Sequence, residues 1–392
     1  MALDSSAVED KSLPGKMTIN LFEARLRNHM NMDQALKVRA AQGIPFHQIE
    51  RLLIRGTNWI GDAVMTMPAV AAIRKSFPRA RISILVKPWV AELFYVDPNV
   101  DEVILFHDPG SHSGIRGKFK LSMELRERRF DAAILLQNAI EAAIIAELAG
   151  IPIRAGYNSD VRGMLLTHSV QRTAAIRAVH QVDYYLEMVK SLGCQSTGRD
   201  IDLRIPEEYR QLGDTILAPY GLSRERFLVG MAPGATYGPA KKWFPERFAE
   251  VADCLMERYP AQVLLFGSAS DRDAIGAVAR NAKHTLIDLT GRTSLKEAIA
   301  LISRCRLFIS NDSGLMHVAG ALDIPTIAIF GSTNPVTTSP MGSRTMVIRK
   351  DVSCSPCLKV SCPTDFRCMD LIKADEIYHA AEDMLQMSQT GK

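Results

Sequence analysis

The feature that most constrains this chain is a doubled alternation of strand and helix signals. From Arg51 to Gly150, short β-rich apolar runs (LLI, RISILV, VDEVILF, FDAAILLQ) take turns with helical patterns such as Ala63–Ser76 and AIEAAIIAELAG. The alternation restarts at FLVGMAP (227–233). It continues through AQVLLFG (261–267), TLIDLTG (285–291), LFIS (307–310) and Thr326–Phe330. Short apolar runs bounded by turn residues read as buried strands, and a helix between consecutive strands makes the sheet parallel with right-handed crossovers. An α/β fold of two doubly wound, Rossmann-like domains facing a cleft is predicted.

The boundary between the halves falls in Gly193–Leu222, where periodicity weakens around Pro206 and Pro219. The expected division has four parts. Residues 1–48 are an unassigned N-terminal extension, 49–215 the first domain, 216–370 the second domain with a Cys-rich loop, and 371–392 a C-terminal helix that folds back onto the first domain. Within the extension, Asn20–Arg39 carries the pattern of a weak basic amphipathic helix, of the kind that can lie on a membrane.

Composition narrows the class. At 392 residues, 47% hydrophobic and 23% charged, the chain has material for two ordinary cores. A formal charge of +4 with no basic run interleaved with aromatics argues against nucleic acid. It is compatible with a phosphorylated substrate or an anionic membrane surface. No apolar stretch is long enough to span a bilayer, and the first twenty residues carry Asp4, Glu9, Asp10, Lys11 and Lys16 instead of an apolar signal core. A cytoplasmic protein, at most peripheral to a membrane, is expected. Cys354, Cys357, Cys362 and Cys368 cluster late in the chain. Disulfides do not suit that compartment, so the cluster reads as a packing loop of thiols, with structural zinc as the less favoured alternative.

The chemistry concentrates in the turns that follow strands. In Leu307–Pro335 the turn Asn311, Asp312, Ser313, Gly314 leads into a helical pattern at Leu315–Leu322. Unpaired backbone N–H groups and the helix dipole at such a start favour an anion. Gly314 lets a backbone approach closely, and His317 sits three residues into the helix. Asp312 and Ser313 read equally as N-caps. A second such unit is Leu52–Ala72, where Asp62 stands at the turn, placed to accept a proton or to cap helix 63–76. After strand 227–233, Thr236 and Lys241 offer a hydroxyl and an ammonium suited to phosphate oxygens, with Lys242 competing for the role. Neither turn carries G-x-G-x-x-G followed by an acidic residue, which disfavours an NAD dehydrogenase.

Three ordered motifs, RGTNWIGDAVMTMPAV, APGATYGPAKKW and NDSGLMHVAGALDIPTIAIFGSTNP, make the chain resemble the ADP-heptose:lipopolysaccharide heptosyltransferases of glycosyltransferase family 9 over residues 50 to 385, most closely the heptosyltransferase II branch. The resemblance implies the GT-B fold. It also implies inverting, metal-independent transfer of heptose from ADP-heptose to the inner-core heptose of heptosyl-Kdo2-lipid A, with no cofactor. Asp62 aligns with the family's general base. Thr236 and Lys241 align with its phosphate ligands, and Asp312, Ser313, Gly314 and His317 with the run assigned to the diphosphate and donor sugar. Work at the cytoplasmic face of the inner membrane follows, with no nucleic acid and no obligate protein partner. The chain departs from the family where a ribose-binding glutamate usually follows strand 261–267. Here it reads GSASDRD, leaving Ser268 or Asp271 as stand-ins. Arg154, Arg162 and His180 are acceptor-side candidates, since arginine forks suit carboxylates and phosphates. The alternatives are another GT-B nucleotide-sugar enzyme, such as an epimerase or one with a different heptose acceptor, and a non-catalytic sugar-nucleotide binder.

Overall fold

The computed structural model describes residues 38–39, 44–201, 203–222 and 225–390. The expected basic helix at Asn20–Arg39 lies almost wholly outside the described residues. Two parallel sheets dominate. The first runs Glu102–Leu105, Arg81–Val86, Arg51–Arg55, Ala132–Leu135, Ile153–Tyr157, His168–Val170, with Val38–Arg39 added antiparallel at its edge. The second runs Ile287–Asp288, Ala261–Leu265, Phe227–Ala232, Cys305–Asn311, Thr326–Ile329, Thr345–Ile348. Counting each domain's parallel strands in chain order, both sheets read 3-2-1-4-5-6, the doubly wound order. Their central strands are buried along nearly their whole length because helices cover both faces. The strand expected at 285–291 is shorter than predicted: only Ile287–Asp288 pairs, at the sheet edge.

Helix Ile60–Ser76 ties the domains together. It is apolar nearly all round (Ala63, Val64, Ala69, Val70, Ala72 and Ile73 are all buried), as befits a helix enclosed on every side. It packs on its own sheet's neighbour, helix Gln181–Ser191, and on helix Gly314–Ala321 of the second domain. One apolar cluster therefore runs from Ile54 and Ile84 of the first domain to Val318 and Phe308 of the second. Helix Glu207–Leu217 lies on helix Leu295–Ile302, while its Tyr209 hydroxyl donates to Glu92 of the first domain at 3.1 Å, so this connecting helix touches both halves.

The C-terminal helix corrects an expectation. Ala374–Thr390 does not fold back onto the first domain. It packs on helix Pro245–Arg258 and strands Cys305–Asn311 and Thr326–Ile329, burying Ile377, Ala381 and Leu385 in the second domain's core. Its docking is reinforced by Trp243, whose indole N–H donates to the Ile372 carbonyl, and by Arg247, which donates to the Ile372 carbonyl at 2.7 Å.

Candidate active site

In a sheet of order 3-2-1-4-5-6, strands 1 and 4 part company at their carboxyl ends and leave a crevice. The first domain's crevice lies beyond Arg51–Arg55 and Ala132–Leu135, the second's beyond Phe227–Ala232 and Cys305–Asn311. Asp62 follows the first of these strands, Thr236 and Lys241 the third, and Asp312 to His317 the fourth. The sequence-predicted residues thus converge on the two switch points.

Asp62 is not the cap of its helix. Trp59 occupies the N-cap position, and Asp62 stands in the first turn, half-buried. Among the described residues no hydrogen bond or ion pair reaches its carboxylate. Burial raises its pKa to about 6, with Lys241 pulling it down and Asp312 pushing it up. Residues of both domains therefore act on one carboxyl.

Across from it, Lys241 Nζ lies 2.7 Å from Asp312 Oδ2, which also accepts from Thr333 Oγ1 at 2.6 Å. The Lys241 ammonium sits 5.2 Å from the centre of the Tyr237 ring. Thr236 is exposed in the adjoining turn. Lys242 is resolved as a different group: it pairs with Asp271 at 3.2 Å, on the far side of the turn from the Asp312 cluster. Asp271 is further bound by the Ser268 hydroxyl at 2.7 Å in a capping box. Both stand-ins for the ribose contact are thus engaged within their own turn.

The helix start at Gly314 has a second use. Ser313 is its N-cap by backbone geometry, yet its hydroxyl bonds to Ser310 Oγ at 2.9 Å and does not cap. A Cβ at Gly314 would sit 2.9 Å from Cβ of Ile60, and one at Gly61 would sit 2.7 Å from the His317 ring. The glycines let one helix start approach the other, a packing role for Gly314 beside the ligand approach expected of it. His317 is almost fully buried, and its Nδ1 has no hydrogen-bond partner. Burial lowers its pKa to about 4, so the ring is neutral near pH 7. Asn311 stitches the loops, donating to the Pro233 carbonyl at 2.6 Å and accepting from the Trp243 N–H at 3.0 Å.

The acceptor-side candidates all have partners within the protein. Arg162 is fully buried and donates to the carbonyls of Tyr157 and Gln137, holding the turn that follows strand Ile153–Tyr157. Arg154 donates to the Leu165 and Ile151 carbonyls and pairs with Glu147. His180 caps helix Gln181–Ser191 through Nδ1, and its Nε2 lies 2.9 Å from the Ser339 carbonyl of the second domain. Sequence reasoning missed Thr333 and Tyr185. Thr333 was visible as the hydroxyl after strand Thr326–Ile329, whereas Tyr185, a buried neighbour whose ionisation is opposed by burial and by the charge of Asp62, carried no local signal. Among the described residues no three His, Cys, Asp or Glu side chains form a group able to hold a metal ion, and all seven cysteines are free.

Comparison with known proteins agrees with this geometry. The model of glycosyltransferase family 9 (heptosyltransferase) matches residues 118–366. Lipopolysaccharide heptosyltransferase 2 of Salmonella typhimurium is 33% identical over 314 residues, covering 76% of this chain and 88% of that protein. Its Escherichia coli K12 counterpart is 33% identical over 309 residues, with the same coverage. The solved structure of E. coli ADP-heptose lipopolysaccharide heptosyltransferase II superposes with a TM-score of 0.74 at 28% identity, covering 87% of this chain and all of that one. A family 9 glycosyltransferase from Veillonella parvula gives 0.79 at 25% identity, covering 89% of this chain and all of that one. With its paired doubly wound sheets and its motifs at both switch points, the chain is a GT-B protein and belongs to glycosyltransferase family 9, the heptosyltransferases.

Proposed function

We propose that this enzyme transfers L-glycero-D-manno-heptose from ADP-heptose to the inner-core heptose of heptosyl-Kdo2-lipid A, with inversion and without a metal ion. The observation that carries the reading is the free carboxyl of Asp62, with a pKa of about 6, under the influence of Lys241 from the opposite domain. A carboxylate tuned close to the working pH is an efficient general base. Asp62 takes the proton of the acceptor hydroxyl as that oxygen bonds to the anomeric carbon of the donor. The bond from that carbon to the diphosphate oxygen breaks in the same displacement, so one base suffices and the configuration inverts.

The leaving ADP gains negative charge on its β-phosphate. Lys241, Thr236 and the backbone N–H groups opening helix Gly314–Ala321 take it up in this reading, which the place of Lys241 beside that helix start supports. Asp312 and Thr333 hold the lysine in place through the contacts described above. Neutral His317, in the same helix and almost fully buried, backs the donor side of the site. The acceptor is lipid-linked, which places the work at the cytoplasmic face of the inner membrane.

The test is an assay with ADP-heptose and heptosyl-Kdo2-lipid A, with and without EDTA, following ADP release and acceptor mass. Acceptor-dependent ADP release with a gain of one heptose, indifferent to EDTA, is expected. ADP release without a mass gain would overturn the transfer to this acceptor, and donor binding with no release would make the protein a binder.

A further inference from the structure

The first domain turns an unusual edge to solvent. Five of its six parallel strands are followed, in the loop or at the start of the next helix, by a large exposed apolar side chain. Trp59, after Arg51–Arg55, is 61% exposed; Ile115, after Glu102–Leu105, is 90%; Met164, after Ile153–Tyr157, is 85%. Trp89 and Ile140 complete the series after Arg81–Val86 and Ala132–Leu135. This is the edge on which Asp62 lies. Exposed apolar residues are ordinary when scattered, but a ring of them around one mouth marks an interaction site. Val161 adds a strain argument. It is β-branched, has φ of 61°, and is 72% exposed, so the backbone holds an apolar side chain out in a conformation such residues avoid.

The ring continues down the outer faces of two neighbouring helices, Gly114–Glu127 and Ile140–Leu148, which pack side by side. On the first, Leu121 and Leu125 face the core, while Ile115, Phe119 and Arg126 fall within about 40° of one another on the outside. On the second, Ile140, Ile144 and Leu148 form an exposed stripe spaced by four residues. The charge beside these apolar groups is basic. Residues 114–129 hold six Lys or Arg and two Glu. Lys118 pairs with Asp108 and Glu141 at 3.2 Å and Arg128 pairs with Glu102, so the basic charge left on this face is mainly that of Arg116, Arg126 and Arg129. Among the described residues no ion pair reaches Arg116 or Arg126, and Lys120 has only Glu124 at 3.8 Å. Apolar side chains among unpaired basic ones on a helix face suit the interface of an anionic bilayer. Trp89 shows the amphipathic pattern of that zone, with its ring exposed and its N–H donating to the Asn58 carbonyl at 2.7 Å.

We infer that the carboxyl-end rim of the first domain, with the outer face of helix Gly114–Glu127, docks on an anionic lipid bilayer and holds the cleft mouth at the membrane surface. The inference deepens the proposed function, since it rests on a lipid-linked acceptor reaching that mouth from the bilayer. A protein held this way needs no spanning helix; among the described residues none is long and apolar enough to cross a membrane.

The test is flotation of the full chain with vesicles of phosphatidylglycerol and phosphatidylethanolamine, against phosphatidylcholine alone, at low and high salt. The wild type is expected to float with the anionic vesicles only, less so in high salt. Ile115→Asp with Phe119→Asp should weaken binding at least about tenfold, and Arg116→Gln with Arg126→Gln about fivefold per charge removed. Both variants should keep the wild-type Tm and wild-type transfer to a deacylated, water-soluble heptosyl acceptor. Equal binding of wild type and variants overturns the inference, as does wild-type indifference to vesicles. A wild-type dimer that Phe119→Asp dissociates, with no vesicle binding, would assign the surface to a second copy instead. Transfer to the soluble acceptor without vesicle binding refutes the docking and leaves the transferase standing. Vesicle binding without transfer to either acceptor refutes the transferase and leaves the docking standing.

Discussion

Replacing Asp62 by Asn keeps the shape of the side chain and removes its charge and its basicity. Both consequences can be sized. As a general base the carboxylate is worth about 10²–10⁴ in rate, so kcat should fall by that factor. Stability should move the other way. A pKa raised from 3.8 to about 6 means that the ionised side chain is disfavoured in the fold by about 3 kcal/mol. Between those values the native state binds more protons than the unfolded chain, so the native protein loses stability as pH rises from 3.8 to about 6 and carries the full penalty above. Asp62→Asn should therefore be more stable than wild type by up to about 3 kcal/mol at pH 8, and the gain should vanish below pH 3.8. Chemical denaturation at several pH values reads the second effect, and initial rates of ADP release read the first. The wild-type rate should climb about tenfold per pH unit below pH 6 and level off above, while the residual rate of the variant should not follow that limb. Near-wild-type turnover in a folded variant would refute the base. Loss of stability at pH 8 would refute the claim that burial, and not a missed partner, sets the pKa.

Other substitutions separate the neighbouring roles. Lys241→Ala should lower kcat/KM about 10–100-fold, and Lys242→Ala should leave it nearly unchanged, because only Lys241 faces the Asp312 cluster. Since Lys241 pulls the Asp62 pKa down, Lys241→Ala should also shift the acid limb of the pH–rate profile to higher pH. Gly61→Ala drives a methyl to 2.7 Å from the His317 ring, so the two helix starts must separate. A stability loss of about 1–3 kcal/mol by thermal unfolding and a weakened KM for the donor are expected. Arg162→Ala leaves the buried carbonyls of Tyr157 and Gln137 without their donor. It should destabilise by about 3–5 kcal/mol in urea unfolding, whereas an acceptor-binding arginine would instead raise the acceptor KM in a stable protein.

What the chain declares locally was legible in it. Strand, turn and helix alternate because each is decided by a few consecutive residues, and the switch-point turns inherit their position from that alternation. Asp62, Lys241 and Asp312 could therefore be placed at strand ends with no knowledge of packing. The partners of a side chain are a different kind of fact. Arg162 looked like a phosphate ligand because nothing near it in sequence says that Gln137, twenty-five residues away, presents its carbonyl there. Lys241 and Lys242 are indistinguishable in a motif, and only the tertiary positions of Asp312 and Asp271 divide them. Gly314 reads in the sequence as a glycine for close ligand approach, and only the tertiary structure shows two helices from separate domains meeting at it and at Gly61. The C-terminal helix shows the same limit, for its apolar stripe fits any complementary surface, and the groove beside Trp243 exists only once the second sheet has folded. The elevated pKa of Asp62 is the furthest from the sequence. It arises from water excluded jointly by two domains and from charges brought up across the gap between them, so no window of residues contains its cause.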